Sequence, residues 1–123
     1  MDSSIPQVPI SIKQSATFEL SILYVDTDGN PIDLSGYTAK MQVRETTDCA
    51  DPPIVDLTTE NGGISIDGTN GIVNILILKE DTELLPEPFK GVYDLFIVNQ
   101  NGQADCLISG LVSIEGSVTK WGT

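Results

Sequence analysis

The 123-residue chain has no histidine. Its carboxylates and thiols are therefore the side chains to consider first for catalysis or metal binding. Without histidine, Ser-His and Cys-His nucleophilic pairs are impossible within the chain. The spacing of the 18 acidic residues selects no pair for glycoside hydrolysis. The segment GGISIDG at 62–68 lacks the spacing of a phosphate-binding loop. We therefore predict that the protein is not an enzyme.

The segment DTDGN at 26–30 is superficially similar to a calcium-binding loop. With Gly29 in the sixth position, the first and twelfth positions would be Tyr24 and Ser35, and neither supplies a carboxylate. Asp, Gly and Asn are also the residues that tolerate turn conformations. The segment is thus predicted to be a β-turn, and we expect no metal and no cofactor.

The two cysteines, Cys49 and Cys106, are too few for a disulfide framework and have no zinc-ligand spacing. Cys106 shares strand parity with Ile108, which predicts a small buried apolar residue. Cys49 falls in the loop TTDCADPP. Both thiols are expected to be reduced after cytoplasmic synthesis, with a Cys49–Cys106 bridge as the alternative.

Charge and hydropathy exclude several classes of partner. The net charge of −12 disfavours nucleic acid and anionic membranes. The N-terminus lacks a secretory signal, and the longest apolar run, IVNILIL at 72–78, is too short for a membrane-spanning helix. The acidity fits either simple solubility or a basic partner surface.

Period-two alternation recurs between turn signals and predicts an all-β, two-sheet antiparallel sandwich of about eight short strands. The expected strands are 15–24, 37–44, 54–59, 63–67, 72–79, 91–99 and 104–116. Residues 1–123 form one predicted domain, with an N-terminal arm (1–11) and a C-terminal tail (117–123). The inward-facing residues are predicted to be Phe18, Leu20, Ile22, Met41, Val43, Tyr93, Leu95, Ile97, Ile108, Val112 and Ile114.

Between the strands, local signals predict smaller features. The hook DLSG at 33–36 should place Leu34 and Tyr37 as plugs at the end of the sandwich. One helical turn is predicted within 79–88, with Asp81 as its cap and Pro86 as its end. Gly110 in mid-strand indicates either a close backbone approach or a bulge.

The run 72–78 is apolar on both faces, as in a central strand or in one covered by a partner chain. Trp121 follows the last strand and is either a core cap or an anchor onto a neighbouring subunit. We predict subunit contacts at Trp121, Ile72, Leu76 and Leu78, within a homo-oligomer.

Four blocks of sequence, in this order, resemble a small structural protein of tailed bacteriophages. They are SATFELSILYVDTDGNPIDLSGYTAKMQVR, TTENGGISIDGTNGIVNILI, GVYDLFIV and LISGLVSIEGSVTK. The resemblance is to the Ig-like, upper-baseplate-protein N-terminal type of domain. It extends from about residue 12 to residue 120.

The resemblance implies a non-enzymatic β-sandwich that is made in the host cytoplasm and assembled into the virion. Its expected place is the tail tip, the baseplate or the fibre attachment, where it contacts other virion proteins as a trimer or hexamer. The alternative is a capsid decoration (cement) protein that contacts the major capsid protein. A soluble ligand-binding module is a third candidate, disfavoured because the few aromatic residues mostly have core parity.

Overall fold

The computed structural model describes residues 5–48 and 52–120, which form eight β-strands and one helical turn. The strands are β1 (Ile10–Lys13), β2 (Phe18–Leu23), β3 (Thr38–Arg44), β4 (Val55–Thr58), β5 (Ile64–Asp67), β6 (Ile72–Ile77), β7 (Phe89–Val98) and β8 (Ala104–Glu115). The helical turn, α1 (Lys79–Thr82), lies between β6 and β7. No helix in the described ranges is long and apolar enough to cross a membrane.

The strands form two sheets, which confirms the predicted sandwich. The larger sheet has the order β1-β8-β7-β3-β4, and the smaller has the order β2-β6-β5. All pairs are antiparallel except β1 with β8, which is parallel. The run 72–78 therefore contributes the central strand of the smaller sheet.

The core lies between the sheets and follows the predicted alternation. Eight of the predicted inward residues are buried: Met41, Val43, Tyr93, Leu95, Ile97, Ile108, Val112 and Ile114. The other three, Phe18, Leu20 and Ile22, are half-buried and pack against the same core. Strand β2 is less buried because it lies at an edge of the smaller sheet.

Strand β1 was not among the predicted strands. It begins at Ile10, within the segment expected to be an arm, and pairs in parallel with β8 from Ile10–Val112 to Lys13–Glu115. Upstream of it, Gln7 bridges to Ser109. A parallel pair needs no adjoining turn, so the turn signals used to predict the other strands could not mark this one.

The predicted parity of Cys106 is wrong, because a β-bulge interrupts β8. The register shifts between Leu95, which pairs with Ile108, and Phe96, which pairs with Cys106. Leu107 is the extra residue, and both it and Ile108 are buried. Cys106 consequently lies half-buried beside outward-facing Phe96 instead of in the core.

The single helical turn predicted within 79–88 is present as α1, but it is not capped by Asp81 and does not extend to Pro86. Asp81 lies inside its first turn, and the N-cap position is Leu78, which makes no capping side-chain hydrogen bond. The helix ends at Thr82, before Pro86. The Thr82 hydroxyl is fully buried and donates to the carbonyl of Ala16 at 2.9 Å, which joins α1 to the β1–β2 connection.

The two loop motifs between β2 and β3 behave as predicted. The Asp26 carboxylate accepts backbone hydrogen bonds from Asp28 (2.9 Å) and Asn30 (3.0 Å), which holds a turn. In the hook, the Asp33 carboxylate accepts from the Ser35 amide and hydroxyl. Leu34 is only 1% exposed at this end of the core, and Tyr37 is half-buried against it.

Candidate interaction surfaces

Two of the predicted contact residues, Leu76 in β6 and Leu78 just after it, lie at one surface. Val73, Ile75 and Ile77 face the core, while Leu76 and Leu78 are 36% and 50% exposed. Leu76 turns outward because of strand alternation, whereas Leu78 is the N-cap position between β6 and α1. The side chain of Leu76 therefore points away from the core and does not fill it.

Leu76 and Leu78 line a groove of about 390 Å³ together with Ile54, which is 37% exposed. We call this feature the leucine groove. Its remaining lining comes from β4, the loop before β5, α1 and the segment after α1, and includes Leu57, Asn61, Asp81 and Leu85. The groove lies between the edge strand β4 and the start of α1. Residues of both sheets therefore line it, on one side of the sandwich.

Of the other two predicted contact residues, Ile72 does not line this groove. Ile72 lies at the opposite end of β6, where it is half-buried and pairs with Leu23 and Asp67. Leu23 is 56% exposed, so Ile72 belongs to a separate small apolar area. Trp121 lies outside the residues that the structure describes.

A second surface is the outer face of the larger sheet, which we call the front face. It consists of the outward positions of β1, β8, β7, β3 and β4. Four of the six basic residues of the sequence lie on it: Lys13, Lys40, Arg44 and Lys90. Three acidic residues, Asp56, Asp94 and Glu115, share it. The front face thus has a net charge of +1 on a chain of −12.

Apolar side chains lie at two places on the front face, one on each side of Asp94 along β7. Leu111 is 67% exposed and lies across the ladder from Val92, which in turn lies across from Arg44. Phe96 is 38% exposed and lies between Lys40 and Cys106 in the same way. A shallow depression of about 420 Å³ adjoins Leu111 and Val92.

Two titratable groups of the front face are perturbed by partial burial. Desolvation raises the pKa of Asp94, and the nearby Arg44 guanidinium partly opposes this rise. Desolvation also raises the pKa of the Cys106 thiol, assisted by the Asp94 carboxylate. A raised thiol pKa lowers the thiolate fraction at neutral pH, which makes Cys106 a poor nucleophile.

The end of the sandwich that carries the β2–β3, β5–β6 and β7–β8 connections is acidic. These connections, 24–37, 67–71 and 99–103, contain no Lys or Arg. They contain Asp26, Asp28, Asp33 and Asp67, all exposed. The hydrogen bond from the Leu34 amide to the Gly68 carbonyl, 2.8 Å long, joins two of the connections. We call this region the acidic end.

Three of the four acidic side chains at this end, those of Asp26, Asp33 and Asp67, accept local hydrogen bonds. Asp26 and Asp33 hold turns, and the Ser35 hydrogen bonds lower the pKa of Asp33. Asp67 accepts a hydrogen bond from Asn70 at 2.9 Å. Within residues 5–48 and 52–120, no group of three or more His, Cys, Asp or Glu side chains is placed to hold a metal ion. The absence of a cofactor remains a prediction.

Sequence reasoning missed the front face, although a signal for it was present. Lys40 and Arg44 stand at alternating polar positions of the predicted strand 37–44, and Asp94 stands at such a position of 91–99. Their strands pair directly, with Gln42 opposite Asp94. Alternation shows which residues face outward but not which strands are neighbours. The sequence therefore did not predict that these charged residues share one sheet.

The two-sheet arrangement defines an immunoglobulin-like β-sandwich. The chain is similar to a solved structure described as "crystal structure of chicken TCR for 2.0", with a TM-score of 0.56 and 10% sequence identity. The similarity covers 94% of this chain and 57% of that one, so this chain spans little more than half the length of its structural neighbour. At this identity the likeness shows the fold alone. No family model and no curated protein matches the sequence.

Proposed function

We propose that the protein is a non-enzymatic structural component of a tailed-phage virion, which serves as an adaptor at the tail tip, the baseplate or the fibre attachment. It acts as a rigid sandwich, several copies of which stand around a symmetry axis as a trimer or hexamer. Its mechanism is burial of apolar surface against a neighbouring virion protein, without a chemical step.

The observation that carries this proposal is the leucine groove. Leu76, Leu78 and Ile54 expose apolar surface around one concavity, although the core is already filled by the opposite faces of the same strands. Apolar anchors that enter or surround a pocket dominate the energy of protein interfaces. The resemblance of the four sequence blocks to phage structural proteins supplies the virion context, and the immunoglobulin-like sandwich is compatible with it.

Deletion of the gene tests where the protein acts. The proposal expects full heads with defective or fibre-less tails, seen by electron microscopy of the particles. Intact tails on mechanically fragile heads would contradict the tail assignment and support the capsid decoration alternative instead. Normal particles of full infectivity would contradict both structural roles.

Substitutions in the leucine groove test the mechanism. Leu76→Ser with Leu78→Ser should reduce incorporation into particles at least tenfold while the isolated domain stays folded, since both side chains are substantially exposed. The matched control is Leu23→Ser, which removes a leucine of similar exposure from the other end of the smaller sheet. Equal incorporation of the groove variant and the control would contradict the groove as the docking site.

A further inference from the structure

We propose that copies of the chain associate head to tail, with the acidic end of one copy bound to the front face of the next. This inference rests on the proposed function, in which several copies surround one axis. It assigns the contact between copies to surfaces other than the leucine groove. The occupant of the front face is therefore a second copy of this chain.

Charge segregation supports this choice of occupant. The front face carries four of the six basic residues, and its net charge of +1 stands out on a chain of −12. The acidic end carries four exposed aspartates, and its three connections contain no basic residue. A second copy therefore supplies a surface of complementary charge.

Apolar side chains of the front face supply the second component of a contact. Leu111 and Phe96 are exposed on opposite sides of Asp94, and Lys40 lies directly beside Phe96. A surface that mixes exposed apolar and charged side chains is common in contacts that are not permanent. In return the acidic end offers Val25, which is 38% exposed, and the half-buried Tyr24 and Ile32.

A head-to-tail contact is favoured over a face-to-face contact by the same charges. Two front faces in contact would bring two surfaces of the same net charge, +1 each, together, whereas the acidic end offers the opposite charge. A contact between two different surfaces repeats from copy to copy and closes into a ring if the rotation per step permits. Such closure yields the trimer or hexamer of the proposed function.

The size of the front face predicts a weak individual contact. Five strands spaced about 4.8 Å apart and about seven residues long give a flat footprint of about 500 Å². This area is below the roughly 800 Å² per partner of a standard stable interface. Association of the isolated protein is thus expected only at high concentration and low salt, since salt screens exposed charges.

The test uses sedimentation velocity of the full chain at about 20 mM and about 500 mM salt. Wild type should form oligomers at low salt and dissociate at high salt. The face variant, Lys40→Glu with Lys90→Glu, should remain a monomer. The matched control, Lys79→Glu with Lys120→Glu, changes the net charge equally but lies off the front face, so it should associate as wild type does.

Mixing two defective variants identifies the geometry. The end variant, Asp28→Lys with Asp67→Lys, should also be a monomer alone. Mixed with the face variant, it should form a 1:1 heterodimer that grows no further, because one intact face meets one intact end. Association of the end variant alone, with no heterodimer on mixing, would overturn the head-to-tail contact in favour of a face-to-face dimer.

The outcomes separate this inference from the proposed function. Monomeric wild type at every concentration and salt, with incorporation still dependent on the leucine groove, would overturn the inference and leave the proposed function in place. If the purified protein associates head to tail but gene deletion leaves the particles unaffected, the inference is supported and the virion role is contradicted. Thermal melts of each variant verify folding, since substitutions at such exposed sites usually change stability little.

Discussion

Leu95 lies at the centre of the core on β7 and has no exposed surface. Leu95→Ala should lower the free energy of unfolding by about 2–5 kcal/mol, because it removes buried methyl groups and leaves a cavity. Leu84→Ala is the control, since Leu84 is 82% exposed and its loss should change stability by no more than about 0.5 kcal/mol. Urea denaturation measures both. Similar values for the two variants would contradict the assigned strand parity.

Tyr93 is the buried phenol of the core, and its hydroxyl donates a hydrogen bond to the Val8 carbonyl. Desolvation, with a smaller effect of Cys106, raises the pKa of Tyr93 from 10.0 to about 12. The raised pKa means that the fold favours the neutral phenol. The resulting stability is fully present below pH 10 and is lost as the pH rises through about 12.

The variant Tyr24→Phe with Tyr37→Phe leaves Tyr93 as the chain's single phenol. Its phenolate absorbance should appear near pH 12 in the folded protein and near pH 10 in urea. Equal midpoints in the two solvents would show that Tyr93 is not desolvated.

In addition, the stability difference between wild type and Tyr93→Phe should shrink as the pH rises from 10 to 12.

At the scale of elements, Gly110 controls how the N-terminal segment joins the larger sheet. A Cβ atom at this position would lie 2.6 Å from the Val8 carbonyl oxygen, so the close approach predicted for this glycine is confirmed. The neighbouring bonds, Val8 amide to Ser109 carbonyl and Ser109 amide to Pro6 carbonyl, hold the segment along β8.

Gly110→Ala should therefore displace the segment before β1 and lower the free energy of unfolding by about 1–3 kcal/mol. Ser113→Ala, on the same strand, is the control and should have a much smaller effect. Thermal denaturation gives the stability, and hydrogen exchange at Val8 and Ser109 reports the attachment. Unchanged exchange at both amides in Gly110→Ala would contradict the close approach.

The strands that sequence patterns predicted are those with an adjoining turn and regular alternation. Strand β7 meets both conditions, and its inward residues Tyr93, Leu95 and Ile97 were assigned correctly. Strand β1 has only four residues and a partner 102 positions away, so no local signal marks it. The bulge at Leu107 reverses which sheet face the residues before it point to, relative to the rest of β8. The sequence pattern does not mark the extra residue, so parity counted from Ile108 assigned Cys106 to the wrong face.

At the scale of the whole molecule, part of the leucine groove was predictable and the other two candidate surfaces were not. Leu76 and Leu78 were selected because β6 has more apolar residues than one buried face requires, and they do share a groove. Ile54 joins them across the sheets, and only the fold brings it there. The front face and the acidic end depend wholly on strand order, which brings together Lys13, Lys40 and Lys90 from three distant stretches of sequence.

The parallel pairing of β1 with β8 has a mechanical consequence. The chain enters β1 and leaves β8 in the same direction, so tension applied to the two ends pulls the paired strands past each other. The ladder from Ile10–Val112 to Lys13–Glu115 is then loaded in shear, with its hydrogen bonds resisting together instead of opening one at a time. Resistance to force depends on the rate of unfolding. Shear loading raises the barrier to its first step, the separation of β1 from β8. The parallel ladder is thus arranged to resist tension applied along the β1–β8 direction.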